Sequence, residues 1–321
     1  MTTNMANASG LTRGTDASPG DVTAFPLVSV AVVTYNQRDF LRECLESVLC
    51  QDYPHTEIVV SDDGSTDGTQ EMLKEYVASG RGNFVLQLAV RNQGITANQN
   101  LASAACRGKY VSWMAGDDLM LPGKLTKQVK FLEGNPDCAI CYHDLDIFDS
   151  DTGLTLRRYS DVDRPRNGDL RTLVRYGCFN GAVSNMVRGS CQPMPAFDSR
   201  IPIASDWLYW MECLWSGGKI GYIDEVLGRH RRHDKNVTSG SIKNPSIREI
   251  QDHLFTCDIV VSRAPKLFRA TNARKAYLLQ SLRWIDGGSQ YRAYLKASLS
   301  YRFTWKAFIC VIADLVFGYR R

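Results

Sequence analysis

Residues 27–69 read LVSVAVVTYNQRDFLRECLESVLCQDYPHTEIVVSDDGSTDGT. The segment 27–33 is a β-branched apolar run without charge, which is typical of a buried parallel strand. Residues 40–48 repeat apolar side chains at helical spacing, and 57–60 form a second short strand that ends at Ser-Asp-Asp-Gly-Ser. The stretch therefore predicts a strand–helix–strand unit.

The same alternation of strands and helices continues along the chain. Helical spacing at 71–77 precedes a strand-like run at 84–90. Helical spacing at 101–105 then precedes another strand-like run at 110–114, which ends at Gly-Asp-Asp. Strands that alternate with helices in this way predict a parallel sheet covered by helices on both faces. We therefore expect an α/β fold with a mainly parallel sheet.

The second half of the chain is less regular. Residues 143–204 mix strand-like and loop-like segments, whereas 247–317 read mostly as helix with breaks at 264–265 and 286–288. This change of pattern predicts a helical C-terminal extension after the α/β domain.

Three parts of the chain follow from these patterns. Residues 1–26 are rich in Thr, Asn, Ser, Gly and Asp and lack the apolar core of a secretion signal, which indicates a flexible leader. We expect the α/β domain to span 27–240 and the helical, basic extension to span 241–321.

Charge is distributed unevenly along the chain. The formal net charge is +4, yet residues 261–321 hold twelve Lys and Arg and only two acids. Such a basic block usually binds an anionic membrane surface or a nucleic acid. Within it, the apolar run 307–317 (AFICVIADLVF) is too short to span a bilayer, so it is either a core helix or a helix that lies in a membrane interface.

We expect a membrane surface rather than a nucleic acid as the partner of this basic block. The ten cysteines lack the spacing of a disulfide framework, which indicates reduced thiols. The expected location is therefore the cytoplasm, peripheral on the inner face of the cell membrane if the C-terminal helix binds lipid.

Polar clusters follow three of the predicted strands. They are Thr34-Tyr35-Asn36, the acidic run 62–67 and Gly116-Asp117-Asp118. Ligands of open parallel sheets bind at the carboxyl ends of the strands, so the three clusters predict one site. The alternative is three unrelated turns, because Asp, Gly, Asn and Ser are turn residues.

The chain lacks the Gly-rich motifs that usually bind phosphates. Neither G-x-G-x-x-G nor G-x-x-x-x-G-K-[ST] follows the first strand, which argues against a dinucleotide oxidoreductase and a P-loop nucleotidase. A diphosphate can approach paired carboxylates only if a divalent cation lies between them. Mg²⁺ and Mn²⁺ have the ligand preferences for this role.

The chain resembles the inverting family 2 glycosyltransferases, which have the Rossmann-like, nucleotide-binding glycosyltransferase A fold. The resemblance rests on 27–69 and on 92–125 (NQGITANQNLASAACRGKYVSWMAGDDLMLPGKL), and returns at 197–198, 205–218 and 231–238. It implies metal-dependent transfer of a sugar from a nucleoside-diphosphate sugar to a saccharide or lipid-linked acceptor, in a bacterial polysaccharide or lipopolysaccharide pathway.

Donor and acceptor would then bind to different halves of the domain, 27–120 and 121–240. The positions that match donor-binding residues of the family are Val33, Thr34, Tyr35, Asp62, Asp63, Asn92, Gly94, Asn100, Asp117, Asp118, Arg232 and His233. Tyr35 would stack on the base, and Asp62 or Asp63 would accept a hydrogen bond from it, which favours a uridine or thymidine donor.

The resemblance also implies a metal site and a general base. Asp117 and Asp118 match the D-x-D region that binds metal and ribose, and His233, beside Asn236, matches a histidine near the diphosphate and is a third candidate metal ligand. Asp206 matches the general base. From residues alone, the pattern favours an N-cap of an apolar helix for Asp206 and a solvated basic turn for His233, and only the resemblance favours the other roles.

Three positions depart from the family pattern. Ala115 replaces the first acid of the D-x-D, Ser205 replaces the acid before the base, and Gln99 replaces an arginine. Two other functions stay open on these grounds: a carbohydrate- or nucleotide-binding homologue without activity, which Ala115 favours, and a sugar-nucleotide pyrophosphorylase. The latter would need a Gly-rich basic loop directly after the first strand, where this chain has Thr34-Tyr35-Asn36.

Overall fold

The computed structural model describes residues 25–234, 236, 246–282 and 290–317. Its first part follows the predicted alternation. The elements are β1 (Val28–Thr34), α1 (Arg38–Leu49), β2 (Thr56–Asp62), α2 (Thr69–Ala78), β3 (Phe84–Leu88), α3 (Ile95–Ala105) and β4 (Tyr110–Ala115). Every strand and helix predicted for this part is present, and α3 begins earlier than expected, at Ile95.

Strands β1 to β4 form the parallel part of the sheet. β1 pairs with β2 on one side and with β4 on the other, and β3 pairs with the outer edge of β2. The register places Thr34 beside Asp62 and Val33 beside Ala115. The three strand ends therefore stop at the same edge of the sheet, as the pattern predicts.

The later strands make the sheet mixed. They are β5 (Leu119–Met120), β6 (Cys138–Asp149), β7 (Thr155–Arg158), β8 (Met186–Arg188) and β9 (Lys219–Arg232). β8 lies antiparallel between β4 and β6, and β6 pairs in parallel with β9. The strand order is β3-β2-β1-β4-β8-β6-β9-β5, with β7 beside β6. The predicted α/β fold is confirmed, and antiparallel pairs occupy the half with the irregular pattern.

Helices cover both faces of this sheet. The later ones are α4 (Lys124–Gly134), α5 (Leu170–Tyr176), α6 (Asp206–Cys213), α7 (Ile247–Arg263), α8 (Phe268–Leu282), α9 (Tyr291–Tyr301) and α10 (Trp305–Phe317). Side chains of β1 alternate between the faces. Val30 and Val32 pack in one core with α1, α2 and α4, and Ala31 packs in the other with α6, α7 and α8.

The helices after residue 240 contribute to this second core. Ile250 and Val260 of α7 and Leu278 of α8 are buried in the same cluster as Trp207 and Trp210 of α6. That a C-terminal extension separate from the α/β domain begins at residue 241 stays a prediction. In the structure, α7 and α8 share a hydrophobic core with the α/β domain.

The predicted helix breaks have different outcomes. α7 ends at Arg263, directly before the break predicted at 264–265, and Pro265 begins a short 3-10 turn. The break predicted at 286–288 lies outside the described residues, as does nearly all of the predicted leader. None of the helices in the described ranges is long and apolar enough to cross a membrane.

Candidate active site

A cavity of about 1330 Å³ opens at the carboxyl ends of β1, β2 and β4. All three predicted polar clusters reach its wall, and so do the predicted base and the predicted histidine. The predicted residues that line it are Val33, Thr34, Tyr35, Asp63, Asn92, Gly94, Asp117, Asp118, Asp206, Arg232, His233 and Asn236. The fold therefore brings nearly all candidate residues together.

Two predicted donor contacts lie outside this wall. The carboxylate of Asp62 accepts hydrogen bonds from the backbone N–H and hydroxyl of Ser65 and from Gln70, so it closes the loop after β2. Asn100 exchanges two hydrogen bonds with the backbone of Phe197, at 2.8 and 2.9 Å. Both side chains make hydrogen bonds within the protein and are not among the residues of the cavity wall, and their assignment to the donor stays a prediction.

Asp63 instead holds the loop that forms one edge of the cavity. Its Oδ1 accepts the backbone N–H of Gln93 at 2.8 Å, and its Oδ2 accepts that of Gly94 at 2.9 Å. Gly64 has φ +75°, and a Cβ there would lie 2.5 Å from the backbone carbon of Arg91. Only glycine therefore lets the loop after β2 approach the loop after β3 so closely.

The amide of Asn98 fastens the strand ends beneath this loop. Its Nδ2 donates to the carbonyls of Thr34 and Ser61, at 3.2 and 3.1 Å, and its Oδ1 accepts the Ser61 hydroxyl at 2.6 Å. Sequence reasoning missed Asn98. Its spacing from Gly94, at the first turn of a helix that follows a strand, is the one signal that could have suggested a buried polar contact.

Asp118 joins the end of β9 to the end of β4. Its Oδ1 lies 3.0 Å from Nδ1 of His230 and accepts the backbone N–H of Arg231 at 3.0 Å. Arg231 Nε donates to the Asp117 carbonyl at 2.8 Å, and its guanidinium pairs with Glu43 of α1. His230, Arg231 and Glu43 were not predicted, because nothing in the sequence shows that β9 ends beside β4.

Asp117 faces the segment that follows β9. Its Oδ2 lies 3.0 Å from Nε2 of His233 and accepts from Nδ2 of Asn236 at 3.0 Å. The ring of Phe40 stacks on His233, with centroids 4.5 Å apart. Burial and the neighbouring charge of Asp118 raise the pKa of Asp117. The contact between Asp117 and His233 is consistent with the prediction that both side chains belong to one metal site. The alternative prediction for His233, a solvated basic turn, does not fit its buried side chain.

These residues fit a divalent cation that also binds phosphate. No group of three or more His, Cys, Asp and Glu side chains within the described ranges is arranged as a closed metal site. Mg²⁺ and Mn²⁺ do not require one, because they keep several waters and take one or two carboxylates plus phosphate oxygens. Asp117 supplies such a carboxylate at the cavity wall, whereas Asp118 is engaged by β9.

Asp206 is the first residue of α6 and lines the same cavity. The N-cap position belongs to Ser205, whose side chain makes no capping bond. The Oδ1 of Asp206 accepts the adjacent backbone N–H of Trp207 at 2.8 Å, and its Oδ2 accepts from the thiol of Cys178 at 3.5 Å. Burial raises the pKa of Asp206. Asp206 is therefore not the N-cap that its position before an apolar helix suggests.

Hydrogen bonds connect the start of α6, which carries Asp206, to α3. Ser205 Oγ lies 3.3 Å from Thr96 Oγ1 and donates to Gln99 at 3.3 Å, so α6 is tied to α3. On the other side, the Asp252 carboxylate of α7 accepts the backbone N–H groups of Ile203 and Ala204, both at 3.0 Å. The position of Asp206 is therefore fixed from both sides.

Comparisons with known proteins assign part of the chain to a family. Residues 29–184 match the sequence model of the family described as glycosyl transferase family 2. A protein of Bacillus subtilis (strain 168), named as a candidate teichuronic acid biosynthesis glycosyltransferase (TuaG), is 29% identical over 220 residues, covering 68% of this chain and 84% of that protein. The chain carries a family 2 glycosyltransferase domain. Its activity is accordingly glycosyl transfer.

Solved structures share the fold of this glycosyltransferase. Residues 1–349 of TarS from S. aureus, in complex with UDP-GlcNAc, superpose with a TM-score of 0.64 at 15% identity, over 91% of this chain and 85% of that one. The mannosyltransferase PcManGT from Pyrobaculum calidifontis, with GDP-Man and Mn²⁺, gives 0.61 at 19% identity, over 96% and 84%. At these identities the likeness shows the fold alone.

The close approach at Gly64 of the glycosyltransferase leads to a prediction. Gly64→Ala should destabilise the fold and weaken nucleotide binding, because a Cβ would displace the loop that Asp63 holds. Gly80→Ala is the matched control, since Gly80 also has a positive φ, +67°, but a Cβ at that position would meet nothing within 4 Å. The control should cost about 1–2 kcal/mol for its backbone alone.

Gly64→Ala should cost roughly a further 1–3 kcal/mol from the clash. Urea denaturation measures both free energies of unfolding, and calorimetric titration with UDP measures the nucleotide affinity. Equal unfolding costs for the two variants, together with unchanged UDP binding, would contradict the role of this contact.

Proposed function

We propose that the protein is an inverting, metal-dependent glycosyltransferase that moves a sugar from a nucleoside-diphosphate sugar to a saccharide or lipid-linked acceptor. The observation that carries this proposal is the separation of its carboxylates. Asp63, Asp117 and Asp118 follow strands β2 and β4, whereas Asp206 belongs to α6, which lines the same cavity. An inverting displacement needs one carboxylate on the acceptor side, and Asp206 would take that position.

The donor's nucleotide would lie along the edge formed by β1 and β2. Tyr35 is exposed there and offers a ring on which the base can stack. Each oxygen of Asp63 already accepts one backbone N–H, but a carboxylate oxygen can accept another hydrogen bond. An N–H of the base can therefore reach it, which supports a uridine or thymidine donor.

The diphosphate would lie beside the contact between Asp117 and His233. A Mn²⁺ or Mg²⁺ held there by Asp117 would neutralise charge on the departing diphosphate. His233 lies within hydrogen-bond distance of the same carboxylate, and the ring of Phe40 keeps its orientation. Arg232 lines the cavity nearby and adds positive charge toward the leaving group. The Mn²⁺ in the complex of a fold neighbour, PcManGT, supports this choice of metal.

Asp206 would take the proton of the acceptor hydroxyl as that oxygen attacks the anomeric carbon. Burial raises its pKa, which brings the carboxylate closer to the basicity that general-base catalysis needs near neutral pH. The N–H of Trp207 fixes Oδ1, so the proton is accepted at Oδ2, on the side of Cys178. The acceptor's pathway, by likeness to TuaG, would be synthesis of a cell-surface polysaccharide.

The C-terminal helix would bring this cytoplasmic enzyme to the membrane. Phe303, Trp305 and Phe308 form one aromatic cluster at the start of α10, with ring centroids 5.2–5.9 Å apart. Trp305 and Ile309 are 69% and 60% exposed, so this face is not covered by the described part of the protein. Exposed aromatic and basic side chains suit an anionic lipid interface.

Asp206→Asn provides the test of the general base. The amide keeps the size of the carboxylate but cannot accept the proton, so kcat should fall roughly 10²–10⁴-fold with UDP affinity unchanged. Wild-type kcat/KM should fall with pH below the raised pKa of Asp206, because only the ionised form is a base. The Asn variant should lack that acid limb.

Glu212→Gln is the control for this test. Glu212 lies on the same helix, pairs with Arg263 and is not among the residues of the cavity wall. A fully active Asp206→Asn enzyme would place the base elsewhere.

Asp117→Asn provides the test of the metal. Without this carboxylate the diphosphate loses its bridging cation, so Mn²⁺-stimulated UDP binding and donor turnover should fall by at least about 100-fold. Treatment of the wild type with EDTA should have the same effect, reversed by added Mn²⁺. Asp224→Asn, outside the cavity wall, is the control and should behave as wild type. Full turnover in EDTA would refute metal dependence.

Trp305→Ser combined with Ile309→Ser tests the membrane surface. The double variant should lose most of its co-sedimentation with anionic vesicles, since both apolar contacts are removed while Arg302 and Lys306 keep their charge. Leu154→Ser with Leu156→Ser is the control, because these residues of the β6–β7 hairpin are 68% and 58% exposed.

Truncation of the chain after Pro265 would be a less specific test of the membrane surface than these two substitutions. Truncation would also remove α8, which lines the cavity through Ala273 and Tyr277. Equal binding of the double variant and wild type to anionic vesicles would assign the apolar face of α10 another role.

A further inference from the structure

The cavity has a second wall that the proposed mechanism does not use. It is built from the segment before α5, α5 itself, α8 and the residues after α9. The arginines on this wall, here called the arginine wall, are Arg166, Arg175, Arg274 and Arg302. Tyr176 and Tyr277 lie among them, and the arginine wall belongs to the same cavity as Asp206.

Arg274 is the most enclosed of these arginines. Its Nη1 donates to the Tyr176 carbonyl at 3.2 Å, and its guanidinium lies 5.4 Å from the ring of Trp207 and 5.1 Å from that of Tyr277. Its Nε is buried and has no hydrogen-bond partner among the described residues. No carboxylate of the described residues lies within ion-pair distance of it.

The backbone leaves room for this guanidinium. Gly177 has φ +82°, and a Cβ there would lie 2.2 Å from Nη2 of Arg274. Any other residue would displace the side chain or strain the turn after α5. The fold thus accommodates a cation at this point instead of filling it with apolar groups.

A buried guanidinium without a counter-ion is unfavourable. Arginine cannot release its proton, and removal of a charge from water costs several kcal/mol unless an anion or hydrogen bonds compensate. Burial accordingly lowers the pKa of Arg274. Rings that face the guanidinium offset part of this cost, but the unpaired Nε shows that its hydrogen-bonding capacity is incomplete within the described part of the chain.

Arg274 is also close to the base. It packs against Trp207, the residue that follows Asp206, and against Gly177, the residue before Cys178. The Cys178 thiol in turn donates to Asp206. A group bound by Arg274 would therefore lie on the acceptor side of the cavity, beside the carboxylate that receives the acceptor's proton.

Two further arginines extend the positive charge along the arginine wall. Arg166 and Arg175 both approach the ring of Tyr176, at 4.3 and 5.4 Å. Arg166 pairs with Asp163 at 3.1 Å. Arg175 is exposed and makes no ion pair with a described residue. Asp163 also attracts Arg274 from beyond ion-pair distance, so one carboxylate is shared by two arginines, and neither Arg175 nor Arg274 has an ion pair with a described residue.

The volume of the cavity leaves space for a second ligand. Sites for one small molecule usually measure about 300–1,000 Å³, and this cavity measures about 1330 Å³. We propose that the acceptor carries an anionic group, a phosphate or a carboxylate, which Arg274 binds with Arg175 beside it. This inference rests on the proposed transferase function and names the chemical class of its acceptor.

The test is a calorimetric titration of protein that is first saturated with UDP and Mn²⁺, so that the donor site is filled. The probes are glucose 6-phosphate, glucuronate and glucose, which share a ring and differ in charge. Both anionic probes should bind at least tenfold more tightly than glucose. Arg274→Gln should weaken them by roughly ten- to a hundredfold, the effect of one charge-assisted hydrogen-bonded contact, and leave UDP and glucose binding unchanged.

Two variants control the result. Arg171→Gln removes an exposed arginine of α5 that is outside the cavity wall and should change nothing. Arg175→Gln, at an exposed position that should tolerate the change, should weaken the anionic probes and decides the question if Arg274→Gln does not fold. Geranyl phosphate is the last probe: binding tighter than that of glucose 6-phosphate would place the anion on a lipid carrier, and weaker binding would place it on the saccharide.

Equal affinity of the wild type for glucose and both anionic sugars, or undiminished affinity in a folded Arg274→Gln protein, would overturn the inference. Failure of UDP to bind the wild type in Mn²⁺ would instead refute the proposed function, and the two failures are therefore distinguishable.

Discussion

The carboxylate of Asp118 is the contact on which the active site depends. It stands after β4, in the parallel half of the sheet, and holds the end of β9 through His230 and the backbone of Arg231. Because β9 ends there, the chain beyond it passes Asp117, and His233 and Asn236 reach that carboxylate. The ion pair of Arg231 with Glu43 adds α1 to the same junction. The donor end of the cavity therefore exists only when both halves of the sheet are assembled.

Charged side chains of both signs line the cavity. Carboxylates follow β2 and β4, with Arg232 also on the wall, and arginines lie on α5 and α8, where Asp163 pairs with Arg166. Buried charges of one sign repel each other and are poorly solvated, so each cluster gains from a ligand of opposite charge. A cation with a diphosphate satisfies the first cluster, and an anionic acceptor would satisfy the second. In the proposed function, donor and acceptor would therefore bind to different parts of one cavity.

Local patterns in the sequence predicted the parallel part of the fold, because each strand there is an apolar run flanked by helical spacing. They could not predict β8, whose three residues pair with β4 and β6 through contacts distant in sequence. The site shows the same limit. Asp62 and Asp63 are adjacent acids, yet only Asp63 faces the cavity, since successive residues point to opposite sides. Asn98 and Asn100 differ likewise by their phase on α3. The position of Arg274 on the cavity wall could not be predicted, because the sequence shows only that residues 261–321 are rich in Lys and Arg.

The boundary of the family match has a structural meaning. It ends at residue 184, so it includes every predicted donor residue except Arg232 and His233, whereas Asp206 and Arg274 also lie beyond it. The donor's nucleotide and metal require fixed geometry at the strand ends, where the backbone contacts of Asp63 and Asn98 allow little change. The cavity wall beyond this boundary includes α6, which packs on the sheet, and α8, which packs on α5, α7 and α9. In the proposed function, cavity-lining residues of α8 would differ between enzymes without disturbing the strand ends, so one fold would serve chemically different acceptors. In this protein, arginines of α5 and α8 would bind the anionic group of the acceptor, and the donor would make no contact with these two helices.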